Sequence, residues 1–85
     1  MGSPTDNVVV FSLPPNNDPY KLYVGKGDQR VADMVHLWTA PGAPEFTPEL
    51  VAEIEDHLFT KHNIVVVSPW ESEEIEYRVA YYDHA

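Results

Sequence analysis

The alternation of apolar and polar residues predicts an amphipathic helix, followed at once by a strand, in the second half of the chain. Thr47 suits the N-cap and Pro48 the first helical position. Four apolar residues then follow at the spacing of one buried helical stripe: Leu50, Val51, Ile54 and Leu58. Asn63 is suited to end the helix. Residues 64–67 form an unbroken β-branched run, which predicts a central strand covered on both faces.

The first quarter of the chain has the pattern of a β-hairpin. Residues 8–13 and 20–24 are rich in β-branched and aromatic residues, which favour strands. Residues 14–19 between them contain proline, asparagine and aspartate, which favour turns. We therefore expect two antiparallel strands joined by a long loop.

Residues 29–39 carry two patterns at once. Helical spacing behind a candidate N-cap at Asp28 is shown by Val31, Met34, Val35 and Trp38. Strand-like alternation is shown by Val31, Asp33, Val35 and Leu37, and would give a third strand that follows a turn at residues 25–28. We favour the helix and keep the strand as the alternative.

The end of the chain has the pattern of a turn and a final strand. Residues 69–73 predict the turn, and residues 74–82 alternate between two faces. One face carries Ile75, Tyr77, Val79 and Tyr81, and the other, which we expect to be wet, carries Glu76, Arg78, Ala80 and Tyr82. Together these elements predict an α+β fold, in which one or two helices pack on one face of a mainly antiparallel sheet of four or five strands.

Composition predicts one small folded domain over residues 1–85, in which residues 1–6 form a flexible tail. The chain has 44% hydrophobic residues and ten aromatic residues, enough for a core, and no cysteine to form disulfides. No apolar segment approaches the ~20 residues of a membrane span, and residues 1–7 lack the pattern of a signal peptide. We therefore expect a cytoplasmic protein, in the host cell if a phage encodes it, with no membrane partner.

The net charge of −9 is distributed unevenly. Residues 1–44 contain four acidic and three basic side chains, whereas residues 45–85 contain ten acidic and two basic ones. Such a field repels nucleic acid and anionic membranes and attracts positively charged proteins. The expected partner is a basic protein, and direct contact with nucleic acid is not expected.

Catalytic and metal-binding patterns are weak. The Gly25-Lys26-Gly27 segment lacks the further glycine and the lysine position of a phosphate-binding loop, so it predicts an ordinary turn. His57 and His62 should point about 140° apart on the helix, and the serines lack the surroundings of a nucleophile. We therefore predict no catalytic residues, no metal ligands and no cofactor, and a protein that is not an enzyme.

A binding surface is the remaining candidate site. Glu49, Glu53 and Asp56 lie on one line of the predicted helix, opposite its apolar side. A second acidic group lies near the final turn, together with aromatic residues that could anchor a partner. The predicted partner-binding residues are Glu49, Glu53, Asp56, Phe59, Trp70, Glu71, Glu73, Glu74, Glu76 and Tyr82.

The function predicted from these features is a non-enzymatic, acidic module that docks on a basic protein. Such a module could inhibit a nucleic-acid-binding protein or complex by charge mimicry. Small acidic domains of this composition are similar in general character to phage-encoded inhibitors and nucleic-acid mimics. The alternative is a structural or assembly subunit that forms a homodimer or a larger homo-oligomer. A small metal-dependent enzyme using the histidines is the third hypothesis, and an acidic surface that serves only solubility would fit the same composition.

Overall fold

The fold is α+β, with one α-helix and a curled antiparallel sheet of six strands among the described residues. The computed structural model describes residues 7–14, 18–41, 45–73 and 76–85. The predicted flexible tail, residues 1–6, lies outside this part of the chain. The elements in chain order are β1 Asn7–Ser12, β2 Lys21–Lys26, β3 Val35–Thr39, α1 Pro48–His62, β4 Ile64–Val66, β5 Glu71–Glu73 and β6 Tyr77–His84. The predicted class is confirmed, although the sheet has more strands than the four or five expected.

The central strand of the sheet is β1. The strand order is β3-β2-β1-β6-β4, and β5 pairs with β6 as well. The hairpin predicted for the first quarter of the chain is confirmed, with Ser12 opposite Lys21 and Asn7 opposite Lys26. The prediction of a central strand at residues 64–67 is wrong: among the described strands, β4 lies at the sheet edge and pairs only with β6. The strand covered on both faces is β1, in which residues 8–11 are all buried.

Helix α1 forms as its sequence predicts. The backbone N–H of Leu50 donates to Thr47 Oγ1 at 3.3 Å, and Pro48 occupies the first turn. The helix ends at Asn63, which adopts a left-handed conformation with φ of 56° and ψ of 43°. Leu50, Ile54 and Leu58 are buried on one side of the helix. Local capping signals and a 3.6-residue period were sufficient here because both are contained within the helix itself.

The helix favoured for residues 29–39 is wrong, and the alternative strand is confirmed. A single 3-10 turn at Val31–Asp33 leads into β3, which pairs with β2. The pairing shifts between Leu22 and Tyr23, so that Trp38 lies opposite Leu22 while Val35 lies opposite Val24. This irregularity places Val35 and Trp38, three residues apart, on the same face of the sheet. A bulge lets two strand residues three positions apart share a face, so the spacing of Val35 and Trp38 resembles that of a helix.

The β4 edge continues, after an interruption, as β5. Val67 N–H donates to Tyr81 O at 2.9 Å, and Tyr81 N–H donates to Ser68 Oγ at 2.8 Å, so a hydroxyl takes the place of a strand carbonyl. The predicted turn at residues 69–73 is wrong for Glu71–Glu73, which pair with β6. The chain pairs again there because a second edge segment can satisfy the outer backbone groups of β6.

The final strand is shifted from its predicted bounds, and its buried face is the opposite of the one predicted. β6 runs from Tyr77 to His84, whereas Ile75 in the predicted strand lies outside the described residues. The alternation itself is confirmed. However, Ala80 and Tyr82, expected on the wet face, are buried among the core residues. Alternation identifies two faces, but which face the helix covers depends on the tertiary packing.

The core lies between α1 and one face of the sheet. Helix residues Leu50, Ile54 and Leu58 pack with strand residues that share this face: Val9, Phe11, Leu22, Ile64, Ala80 and Tyr82. Phe11 is fully buried, and its ring lies within 6.5 Å, between centroids, of the rings of Tyr20, Trp38 and Phe46. We call the opposite side of the sheet, which α1 does not cover, the open face.

Candidate binding surfaces

The acidic helix stripe consists of Glu49, Glu53 and Asp56. All three residues are exposed, and they lie on the side of α1 that faces away from the buried residues Leu50, Ile54 and Leu58. Along the helix axis the three positions span about 10 Å, because each residue advances the helix by about 1.5 Å. The structure thus places this part of the predicted surface in solvent, as a straight row of carboxylates.

The second predicted acidic group lies on the other side of the molecule. In β5, Glu71 is paired with Val79 and Glu73 with Tyr77, and these β6 residues face away from the core. Both glutamates are exposed on the open face. Glu76 is exposed in the turn before β6, and Glu74 lies outside the described residues. The predicted residues therefore form two separate acidic surfaces, one on α1 and one at the β5 edge.

Two aromatic residues predicted to contact a partner are held by the fold instead. Tyr82 is 7% exposed and belongs to the core, which corrects its assignment to a binding surface. Burial raises the pKa of its hydroxyl above the ordinary value. Trp70 is half-buried: its indole N–H donates to Glu55 Oε2 at 3.1 Å, and its ring packs edge-on against Phe46 at 5.8 Å. These contacts fasten the β4–β5 connection to the helix.

Phe59 is exposed, as its position on the predicted helix indicated. Its side chain is 54% exposed, and it lies on α1 beside the exposed Ala52 rather than on the buried stripe. By helical geometry, Phe59 is about 60° around the axis from Asp56. It is the one predicted aromatic residue that remains available next to the acidic helix stripe.

A groove on the open face was not predicted from the sequence. It has a volume of about 650 Å³, and its floor is formed by Val8, Val10 and Val79. One wall is the segment of residues 27–34, here called the flap, and the other wall includes Tyr77 and Tyr81. The helix predicted for residues 29–39 includes most of the flap, and no local pattern indicates that a β2–β3 connection folds back across a sheet.

Gly25 allows the flap to lie this close to the sheet. A Cβ at this position would lie 2.6 Å from Met34 Cγ and 2.6 Å from Gln29 Oε1. Gln29 Oε1 accepts a hydrogen bond from the backbone N–H of Lys26 at 2.7 Å, and Lys26 Nζ donates to Asn7 Oδ1 at 2.7 Å. The expected turn starts at the end of β2, where the Gln29 N–H donates to Lys26 O at 3.0 Å. Gly25 lies within β2, and its lack of a side chain is needed for close packing of the flap.

His57 and His62 lie closer together than their helical positions suggested. Their ring centroids are 5.4 Å apart, and the His57 ring also lies 5.6 Å from Trp38. Burial, and then the nearby charges of His62 and Lys61, lower the pKa of His57, while Asp56 acts in the opposite direction. His57 Nε2 is buried without a hydrogen-bond partner in the described structure. Across the described residues, no group of three or more potential metal ligands occurs.

Comparisons of the chain with protein-family models, with curated proteins and with solved structures find no match. Within the described ranges, no helix is both long and apolar enough to cross a membrane. The fold and surfaces of the molecule therefore supply the basis for its proposed function.

Proposed function

We propose that this protein is a non-enzymatic binding module that docks on a basic protein through the acidic helix stripe. The observation that supports the proposal is the exposure of Glu49, Glu53 and Asp56 in one row on the outer side of α1. The whole molecule carries a net charge of −9, so its field adds to that of the stripe. Such a field accelerates encounter with a positively charged surface and orients the approach.

The proposed partner is a protein whose positive surface ordinarily binds nucleic acid. The stripe offers three carboxylates within about 10 Å of helix axis, and a nucleic-acid strand offers one phosphate per about 3.4 Å of duplex axis. Both are rows of negative charge on a rigid support. A module that covers the positive surface of such a protein would inhibit it by excluding the nucleic acid.

The acidic helix stripe can be tested by capture from a lysate of the cells in which the protein occurs. The test variant, E49Q/E53Q/D56N, neutralises the stripe, and the control variant, D18N/D28N/D33N, removes the same charge from exposed residues elsewhere. We expect the wild type and the control to retain a basic protein at low salt, and the test variant to lose it. Equal retention by both variants would contradict docking through the stripe.

Assembly with copies of itself is the second candidate function. The observation that favours it is the exposure of Val65 and Val67 at the β4 edge, because exposed apolar edges are sites of strand pairing between chains. This function predicts a defined oligomer at micromolar concentration in sedimentation experiments, and the same oligomer for E49Q/E53Q/D56N. A protein that remains monomeric at that concentration would rule out the assembly function.

A further inference from the structure

An exposed apolar patch lies at the end of β4, next to β6. Val67 is 54% exposed and Tyr81 is 40% exposed, and the two lie side by side because Val67 N–H donates to Tyr81 O. Val65 is two residues earlier on the same face and is 39% exposed. Three of the five exposed large hydrophobic residues of the described structure therefore lie together, on the open face.

The patch is continuous with the sheet groove. Tyr81 is paired with Val8 across the β1–β6 ladder, and Val79 is paired with Val10. These residues form the floor and one wall of the groove, and the flap borders its far side. The exposed part of this apolar surface consists of Val65, Val67 and Tyr81. It continues into the groove, where Val8 and Val10 of β1 are only 5% and 3% exposed.

Carboxylates border this surface on one side. Glu71 and Glu73 share the open face with their partners Val79 and Tyr77. Asp83 is paired with Val65 and lies on the same face. The acidic border follows the β4–β5 edge, whereas Arg30 of the flap lies at the groove's opposite wall. A partner that fits must place positive charge along the β4–β5 edge.

The charge pattern disfavours a second copy of this chain as the occupant. Two copies would each bring a net charge of −9 and their own acidic borders to the interface. Like charges that face each other across an interface weaken association. A positively charged partner meets no such repulsion and gains from the three carboxylates.

An amphipathic helix is the element that covers a sheet face of this kind. The opposite face of the same sheet is covered in that way, by α1. We propose that the open face docks an amphipathic, positively charged helix of the partner protein, with apolar side chains over Tyr81 and the groove and basic ones beside the carboxylates. The proposal rests on the proposed function for the positive charge of the partner.

The length of the surface sets the length of the docked helix. From Tyr77 to Asp83, β6 advances about 20 Å at about 3.3 Å per residue. A helix needs about 13 residues to cover that distance at about 1.5 Å per residue. Apolar residues at i, i+3, i+4 and i+7 would supply one face for the groove, which is the usual pattern of helix-in-groove recognition.

A synthetic peptide can serve as the probe for this site. It would contain about 13 residues, the length of the proposed helix, with leucines at the helical spacing given above and lysines on the remaining face. A second peptide of the same composition would have its leucines scattered around the helix. Titration of each peptide into the isotopically labelled full chain, followed by nuclear magnetic resonance, reports which backbone amides respond.

The expected result is a response of the open face to the first peptide only. Amides of Val8, Val67, Val79 and Tyr81 should shift, and V67T/Y81T should bind the peptide about tenfold or more weakly. The control V35T changes an exposed apolar residue that lies outside both proposed binding surfaces, and it should bind as the wild type does. Circular dichroism of both variants shows whether the fold is kept.

Three results would overturn the proposal. Equal binding of both peptides would show attraction by charge alone, and shifts confined to α1 would place the peptide on the acidic helix stripe. Self-association of the free protein that V67T/Y81T abolishes would assign the open face to a second copy. The capture experiment with E49Q/E53Q/D56N changes only α1, whereas the peptide titration probes the open face. A failure of the proposed function and a failure of the proposed helix site therefore appear in different experiments.

Discussion

Gly25 faces the flap at a distance that leaves no room for a side chain. We predict that Gly25→Ala destabilises the protein by about 1–3 kcal/mol, the usual cost of overpacking. The added Cβ would meet Met34 Cγ and Gln29 Oε1, each 2.6 Å away. Moving Gln29 away would also remove the acceptor of the Lys26 backbone N–H. Urea unfolding measures the change in free energy.

A double-mutant cycle with Met34→Ala measures how much of this destabilisation comes from contact with Met34. Met34→Ala removes the Cγ atom, and the remaining Met34 Cβ lies 3.3 Å from the added group. Gly25→Ala should therefore cost less in the Met34→Ala background than in the wild type. Equal costs in the two backgrounds would show that Met34 does not pack over Gly25.

His57 makes the stability of the fold depend on pH. Burial lowers the pKa of His57 below its ordinary value of 6.5, so the folded protein holds this proton less tightly than the unfolded chain does. Stability should therefore fall as the pH falls through 6.5 and level off below the lowered pKa. We predict that unfolding midpoints in urea are lower at about pH 5 than at about pH 8.

The variant His57→Gln tests whether His57 causes the pH dependence of stability. It removes the titrating ring, so the difference between the two midpoints should shrink. His84→Gln, at an exposed position, serves as the control and should keep the dependence of the wild type. An unchanged pH dependence in His57→Gln would contradict the assignment.

Helix α1 was predictable at both of its ends because its signals are local. The Thr47 cap, Pro48 in the first turn and the left-handed Asn63 each act within a few residues of their own position. The 3.6-residue spacing of the apolar residues also predicted the exposed side of the helix, and with it the acidic helix stripe. For this element, sequence and structure agree to within a residue.

The strands were less predictable because their positions depend on distant partners. The run at residues 64–67 is as apolar as residues 8–11, yet β4 lies at the edge and β1 at the centre. β1 pairs with both β2 and β6, whereas β4 pairs with β6 at the edge. No local pattern contains that information. The same holds for Tyr82, whose buried face was set by where α1 packs, and for the groove beneath the flap.

The cap of α1 provides an element-scale prediction. Thr47→Ala removes the acceptor of the Leu50 N–H and should lower the free energy of unfolding by about 1 kcal/mol. Thr60→Ala is the matched control, because Thr60 is exposed and its hydroxyl donates within the helix to Asp56 O. Alanine is a better helix former than threonine, so this control should be neutral or slightly stabilising. Equal losses in urea unfolding for both variants would contradict a capping role for Thr47.

At the scale of the whole molecule, the two acidic surfaces and the net charge define the proposed function. The acidic helix stripe and the carboxylates at the β5 edge lie on opposite sides of the sheet. A single flat partner surface cannot contact both sides at once, so the stripe is proposed as the primary contact and the open face as a separate site for a helix. The sequence predicted both acidic groups as partner-binding residues, but it did not indicate that they lie on opposite sides of the sheet.

The salt dependence of partner binding tests the proposed docking most directly. The dissociation constant of the captured basic protein would be measured at about 0.05 M and about 0.5 M NaCl, between which screening of surface charges increases strongly. For the wild type and for D18N/D28N/D33N, we predict a steep loss of affinity as salt increases. For E49Q/E53Q/D56N, we predict weak binding at low salt and a shallow dependence. Salt dependence as steep as that of the wild type in the stripe variant would contradict docking through the acidic helix stripe.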